Sequence, residues 1–194
     1  MQGSQIENLI KKDQYTKRRY AGAFCADTIP MTLKKGFFYL LNESETSDAL
    51  GSHWTVISCL RPNQSVDYLC SFGGDGKNLP RVHQALLGVN PNIYSFDRRL
   101  QTTWSSSCGL YCVFFFYALS RGISPPEILS DFFARRYAPA DLYLNDIRVC
   151  ATVSTIFKWP EGENFILDLD FLTKRRALDS AASKTGLIKT NKSK

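Results

Sequence analysis

The segment Cys108 to Leu119 carries no charged residue and would present apolar side chains on every face of a helix. Ser105, Ser106 and Ser107 precede it and Gly122 follows, residue types that start and stop helices. A helix that is apolar all round has no face to give to water, so other elements must enclose it. The apolar run is also too short to span a bilayer. The chain therefore has to build a surrounding layer, and it has the material. Its 194 residues are 44% hydrophobic and 13% aromatic, enough for one domain that needs neither a disulfide nor a metal staple. A charged fraction of 22% excludes wholesale disorder.

The surrounding layer reads as strands. Gly36 to Asn42 is rich in strand formers and ends in the polar turn residues Asn42 to Asp48. His53 to Leu60 and Asp67 to Phe72 are the next two strands, with the hairpin turn Arg61-Pro62-Asn63-Gln64 between them. Three strands so close in sequence predict an antiparallel meander. Leu79 to Leu87 is expected as a helix and Asn92 to Phe96 as a fourth strand. Helices are expected over Pro125 to Phe133 and Asp141 to Phe157, and Asn164 to Leu172 reads as a last helix or strand. Strands made early and helices later give an α+β class, an antiparallel sheet packed against helices. The expected divisions are 1–19, a mobile or weakly helical arm with Ile6, Leu9 and Ile10 at helical spacing, then 20–172, the compact domain, then 173–194, a tail.

The tail concentrates the charge. The formal net charge is +6, and Lys174, Arg175, Arg176, Lys184, Lys189, Lys192 and Lys194 against the single acid Asp179 account for all of it. The body is neutral. Such a segment is expected to be solvated and disordered, and its charge suits a tether to DNA phosphates. Lys174-Arg175-Arg176 also suits nuclear import. The start, Met1 to Arg19, is polar with no apolar export region. Six cysteines without such a signal are expected to stay reduced inside a cell. No Cys-x2-Cys pair exists, and His53 and His83 do not flank a second ligand at finger spacing, so no metal site is expected.

Three residues carry candidate chemistry. Cys108 sits where the serines give way to the helix, so unsatisfied amides and the positive helix end face its sulfur. That arrangement is expected to lower the thiol pKa and make a nucleophile. Gly109 beside it leaves room for a substrate backbone. A lone cysteine is more often a core residue, which is the better account of Cys112 one turn on. His53 lies 55 residues before Cys108, at the start of a strand and followed by Trp54. Its imidazole can serve as base to the thiol and then as acid to a leaving amine. Gln101, seven residues before Cys108, can join the Cys108 N–H in an oxyanion hole.

His53-Trp54, then Gln101, then Cys108-Gly109-Leu110-Tyr111-Cys112, in that order, resemble the adenovirus endopeptidase (adenain) family. Asp27-Thr28-Ile29-Pro30 and the stretch from Asn42 to His53 are similar to the adenain-type proteases of Polintons, adintoviruses and related DNA viruses. The resemblance covers about residues 20 to 150 and leaves the tail outside. It implies a papain-like α+β fold, with a sheet that bears His53 packed against helices, one of which presents Cys108. It also implies a monomeric cysteine endopeptidase with Cys108 as nucleophile, His53 as base and Gln101 in the oxyanion hole. Its substrates would be virion precursor polypeptides, cleaved during particle maturation in the virion and host nucleus. No cofactor is implied, although a peptide or DNA activator is compatible, and no membrane is involved. The same residue order marks the ubiquitin-like (SUMO) proteases, so an isopeptidase is the second expectation. A DNA-binding virion protein with impaired catalysis is the third.

One position departs from the family. The run Tyr68-Leu69-Cys70-Ser71-Phe72-Gly73 places Cys70 where the family carries an Asp or Glu. A neutral thiol cannot stabilise an imidazolium as a carboxylate does. Three readings follow: a Cys–His dyad with Cys70 or Ser71 only orienting the ring, a substitute acid at Asp67 or Asp75, or lost activity. Strand alternation puts Asp67 on the face opposite Cys70, which favours Asp75 or the dyad.

Overall fold

The computed structural model describes residues 1–48, 52–103, 105–133 and 142–158; the expected element at Asn164 to Leu172 and the basic tail lie outside them. Five strands form one sheet in chain order: β1 (Tyr20–Cys25), β2 (Phe38–Asn42), β3 (Trp54–Ser58), β4 (Val66–Leu69) and β5 (Ile93–Ser95). β2, β3 and β4 pair antiparallel, which is the expected meander. The outer strands differ: β1 runs parallel to β2, and β5 runs parallel to β4. The sheet is therefore mixed rather than antiparallel throughout. Connection length explains the change. The short turn after β3 can only reverse the chain, whereas the chain from β4 to β5 is long enough to return to the starting end.

Helices α1 (Gly3–Lys12), α2 (Gln14–Lys17), α3 (Pro80–Leu87), α4 (Cys108–Ser120), α5 (Pro125–Phe133) and α6 (Leu142–Phe157) complete the fold. The three central strands alternate apolar side chains to both faces, so both faces need cover. Phe38, Leu40, Val56 and Leu69 meet α1, α4 and α6 on one side, while Tyr39, Leu41, Ile57 and Tyr68 meet Val82, Ala85 and Leu86 of α3 on the other. The uncharged helix α4 lies in the middle of the first layer, against α1, α2, α6 and β3. Phe115 and Phe116 are fully buried there, each contributing about 1.5–3 kcal/mol through burial.

The first 19 residues do not form a mobile arm. Ile6, Leu9 and Ile10 share one face of α1, and all three are buried against α4 and the sheet. Burying that stripe offsets the entropy of ordering the helix. The same packing revises the reason for Gly109. A Cβ on it would stand 2.8 Å from Ile6 Cδ1, so the missing side chain makes room for α1, not for a substrate backbone.

Candidate active site

β3 begins at Trp54, so His53 occupies the residue that leads into the strand, with Glu43 opposite it across the sheet. The Glu43 N–H donates to the His53 carbonyl at 2.9 Å, which carries the β2–β3 register one residue further. Antiparallel partners share a face, and side chains two apart in a strand do too. Glu43 and His53 therefore point the same way. Cys70, just past β4, points to that side as well, in line with Tyr68 and Val66.

Cys108 opens α4. Ser107 holds the cap position without a side-chain cap bond; the Leu110 N–H donates to its carbonyl at 2.8 Å, which leaves the Cys108 and Gly109 N–H groups at the helix end beside the sulfur. The backbone N–H groups of Trp54, Gly109 and Cys108 lie near the Cys108 thiol and favour its charged form. His53 and Cys108 line one cleft of about 700 Å³, together with Gln2, Asp48, Trp54 and Ser106. The two residues that the sequence placed in catalysis are brought together.

Behind the ring, His53 Nε2 lies 3.4 Å from Cys70 Sγ, and the imidazole stacks on Phe72 at 4.4 Å between ring centroids. A carboxylate oxygen of Glu43 lies within 4.8 Å of both Cys70 Sγ and the ring nitrogen, and Glu43 Oε1 accepts the Tyr68 hydroxyl at 2.7 Å. A carboxylate thus stands behind His53 after all, one residue away, with the thiol between them. It was missed because Glu43 lies ten residues before His53 in a polar stretch. The signal was available: 39, 41 and 43 alternate to the same face as 53, 55 and 57.

The other acid candidates are placed elsewhere. Asp75 pairs with Lys77 at 2.6 Å at the surface. Asp67 is buried and bonded to Arg61 at 2.8 Å and to Ser65 at 3.0 Å, on the face opposite Cys70, as alternation required. Gly73, at φ 73°, takes the left-handed turn after β4, where a Cβ would strike the Arg98 backbone at 2.9 Å.

The charge states differ from expectation. Burial pushes the Cys108 thiol above its ordinary value, and the N–H groups around it only partly offset this. Burial lowers His53 to about 4. It also raises Cys70 to about 12 and moves the Glu43 carboxyl up. Desolvation outweighs the helix end, so the resting site is a neutral thiol beside a neutral imidazole.

Gln101, expected in the oxyanion hole, is fully buried and does not line the cleft that His53 and Cys108 share. It accepts from Ser71 Oγ at 2.6 Å and donates through Nε2 to the Ser105 carbonyl at 2.7 Å. One Nε2 hydrogen remains beyond that bond. The loop leading to α4 is anchored by a residue that sequence reasoning missed, Asp146 of α6. Its carboxylate accepts from the Thr102 N–H and hydroxyl at 3.2 and 2.7 Å, from Ser107 Oγ at 3.2 Å and from the Tyr111 hydroxyl at 3.0 Å. Asp146 is fully buried, so its removal strands several polar groups without water. Asp146→Ala should cost about 3–5 kcal/mol of stability and most of the activity. Denaturant unfolding of the variant checks this, and Asp146→Asn should recover part of the stability.

The DNA-contact candidates Lys174, Arg175, Arg176, Lys184 and Lys189 lie outside the described residues. Among the described residues, Glu43, His53 and Cys70 form a group whose ligand atoms lie within 4.8 Å of one another, a set that finger spacing could not reveal. No family model and no curated protein matches the sequence. Among solved structures, the fold is similar to the crystal structure of the Se-Met ASFV pS273R protease, with a TM-score of 0.32 and 21% identity. The match covers 58% of this chain and 42% of that one, so the chain spans less than half of that protease's length.

Proposed function

We propose that this chain is a cysteine endopeptidase of the adenain type, with Cys108 as nucleophile and His53 as general base. The observation that supports it is the placement of both side chains in the lining of one cleft. Cys70 engages Nε2, so the base role falls to Nδ1. Nδ1 takes the thiol proton as the sulfur attacks the substrate carbonyl, and the imidazolium then gives that proton to the leaving amine. Water, deprotonated by the same nitrogen, cleaves the thioester and restores the thiol. The Cys108 N–H supports the oxyanion, and Gln101 contributes from behind the cleft by holding the Ser105 carbonyl of its wall. Glu43, acting through Cys70, steadies the transient imidazolium.

A neutral resting pair has a distinct pH signature. His53 must be unprotonated, so kcat/KM should rise through an acid limb near 4, the value burial gives it. Above that limb, activity should hold to about pH 9, because no imidazolium is required at rest. A pH profile with a peptide substrate tests this. A fall between about pH 8 and 9, the mark of a thiolate–imidazolium pair, contradicts it.

The substrate class rests on the residues that resemble the adenain family: virion precursor polypeptides cleaved during particle maturation, in the virion and host nucleus. The tail is assigned as a DNA tether on its charge alone. Deleting Lys174 to Lys194 takes the formal charge from +6 to zero. Affinity for duplex DNA of any sequence should then collapse and the salt slope flatten, while cleavage of a short peptide is unchanged. Equal DNA affinity of the truncated and full chains, measured at one salt concentration, refutes the tether.

A further inference from the structure

The replacement of the family's acid by Cys70 changes more than the charge behind His53. It puts a sulfur, an imidazole nitrogen and a carboxylate oxygen in one group, His53 and Cys70 buried and Glu43 half-buried, from residues that flank the ends of three neighbouring strands. Cys70 Sγ and His53 Nε2 are 3.4 Å apart. A tetrahedral zinc ion with bonds of about 2.3 Å to sulfur and about 2.0–2.1 Å to nitrogen holds those two atoms about 3.5 Å apart. The pair therefore already matches one edge of a zinc tetrahedron. Glu43 supplies the third corner, with its carboxylate oriented by the Tyr68 hydroxyl, an outer partner of the kind that metal ligands use.

A second observation shows how a cation would arrive. Glu43 also lines another cleft of about 600 Å³, whose walls carry Asp27, Glu45 and Asp48 against the single cation Arg81. Acids lead from solvent to the carboxylate, so local cation concentration is raised at its mouth. Charge balance is favourable as well. A zinc ion together with one thiolate and one carboxylate is neutral, which removes the cost of burying either anion alone.

We propose that Glu43, His53 and Cys70 bind Zn²⁺, and that the bound ion switches off the His53 base. On binding, the Cys70 S–H proton passes to solvent as the Zn–S bond forms. The imidazole coordinates through its Nε2 lone pair, and a water fills the fourth position. With Nε2 on the metal, the one ring proton sits on Nδ1. That nitrogen then has no lone pair for the Cys108 proton, so general-base catalysis stops. No oxidant or reductant is needed, and chelation restores the free ring.

Metal binding can be read without any activity, and only the inhibition rests on the proposed protease role of His53. The probe is Co²⁺ titrated into the full chain, in which a bound thiolate gives a near-ultraviolet charge-transfer band. The band should appear with one equivalent of Co²⁺ in the parent protein and persist in Cys108→Ala, and Zn²⁺ should displace it. It should vanish in Cys70→Ser, with affinity for Co²⁺ lower by about 100-fold or more. Glu43→Gln should weaken binding while keeping the band, which serves as a second check should Cys70→Ser fold poorly. Absence of the band in the parent, its loss in Cys108→Ala or its survival in Cys70→Ser would overturn the site. Zn²⁺ should also stop peptide cleavage reversibly, with recovery on adding EDTA. If the band behaves as expected but Zn²⁺ leaves cleavage untouched, the site stands and the switch is refuted.

Discussion

Cys108→Ala should lower peptide cleavage by on the order of 10⁴-fold or more, to the rate left by binding alone, with little change in thermal stability. The substitution removes one sulfur atom at the end of α4 and leaves the glycine contact with α1 and the buried face of the helix intact. His53→Ala should do nearly the same, because the thiol is neutral at rest and needs a base to become a nucleophile. The double variant should be no worse than either single one, since the two residues act as a unit. Near-native turnover in either single variant would sink the assignment. So would additive losses in the double.

Glu43→Gln should lower kcat by about 10- to 100-fold with KM nearly unchanged. In the proposed mechanism the carboxylate does not meet the substrate; it acts through Cys70 on the imidazolium that exists only along the reaction path. Cys70→Asp should give little gain by itself, because two neighbouring carboxyls within 4.8 Å of the ring nitrogen cannot both ionise readily. In the Glu43→Gln background the same change should restore most of the lost rate, since it places a single carboxylate directly beside Nε2. Measuring kcat and KM for the three variants checks the relay. Failure of Cys70→Asp to rescue Glu43→Gln, with the fold intact, would mean that no acid serves His53.

The features legible in the sequence were those set by local pattern. α4 followed from an uncharged run between serines and a glycine, and β2 to β4 from short apolar runs separated by a four-residue turn. The parallel direction of β1 and β5 was not legible, because it depends on where long connections lead rather than on the strands themselves. His53 and Cys108 were found through residue type and order. Glu43 was hidden because its place beside His53 comes from register across β2 and β3, and Asp146 because one acid in a helix gives no hint of the loop it holds. The direction of the Cys108 shift was misjudged for a physical reason. The helix end acts over a few ångströms on one side, while burial removes water from all sides, and burial is the larger effect here.

The most direct measurement is to trap the acyl-enzyme. A panel of N-acyl dipeptide p-nitrophenyl esters, acid-quenched within the first turnover and mapped by mass spectrometry, reads which atom attacks. The expected result is one acyl group per chain, carried as a thioester on Cys108, and absent when His53 is replaced by alanine. Acylation spread over the other five cysteines, or equally fast on Cys108 without His53, would show that this cleft does not do cysteine protease chemistry.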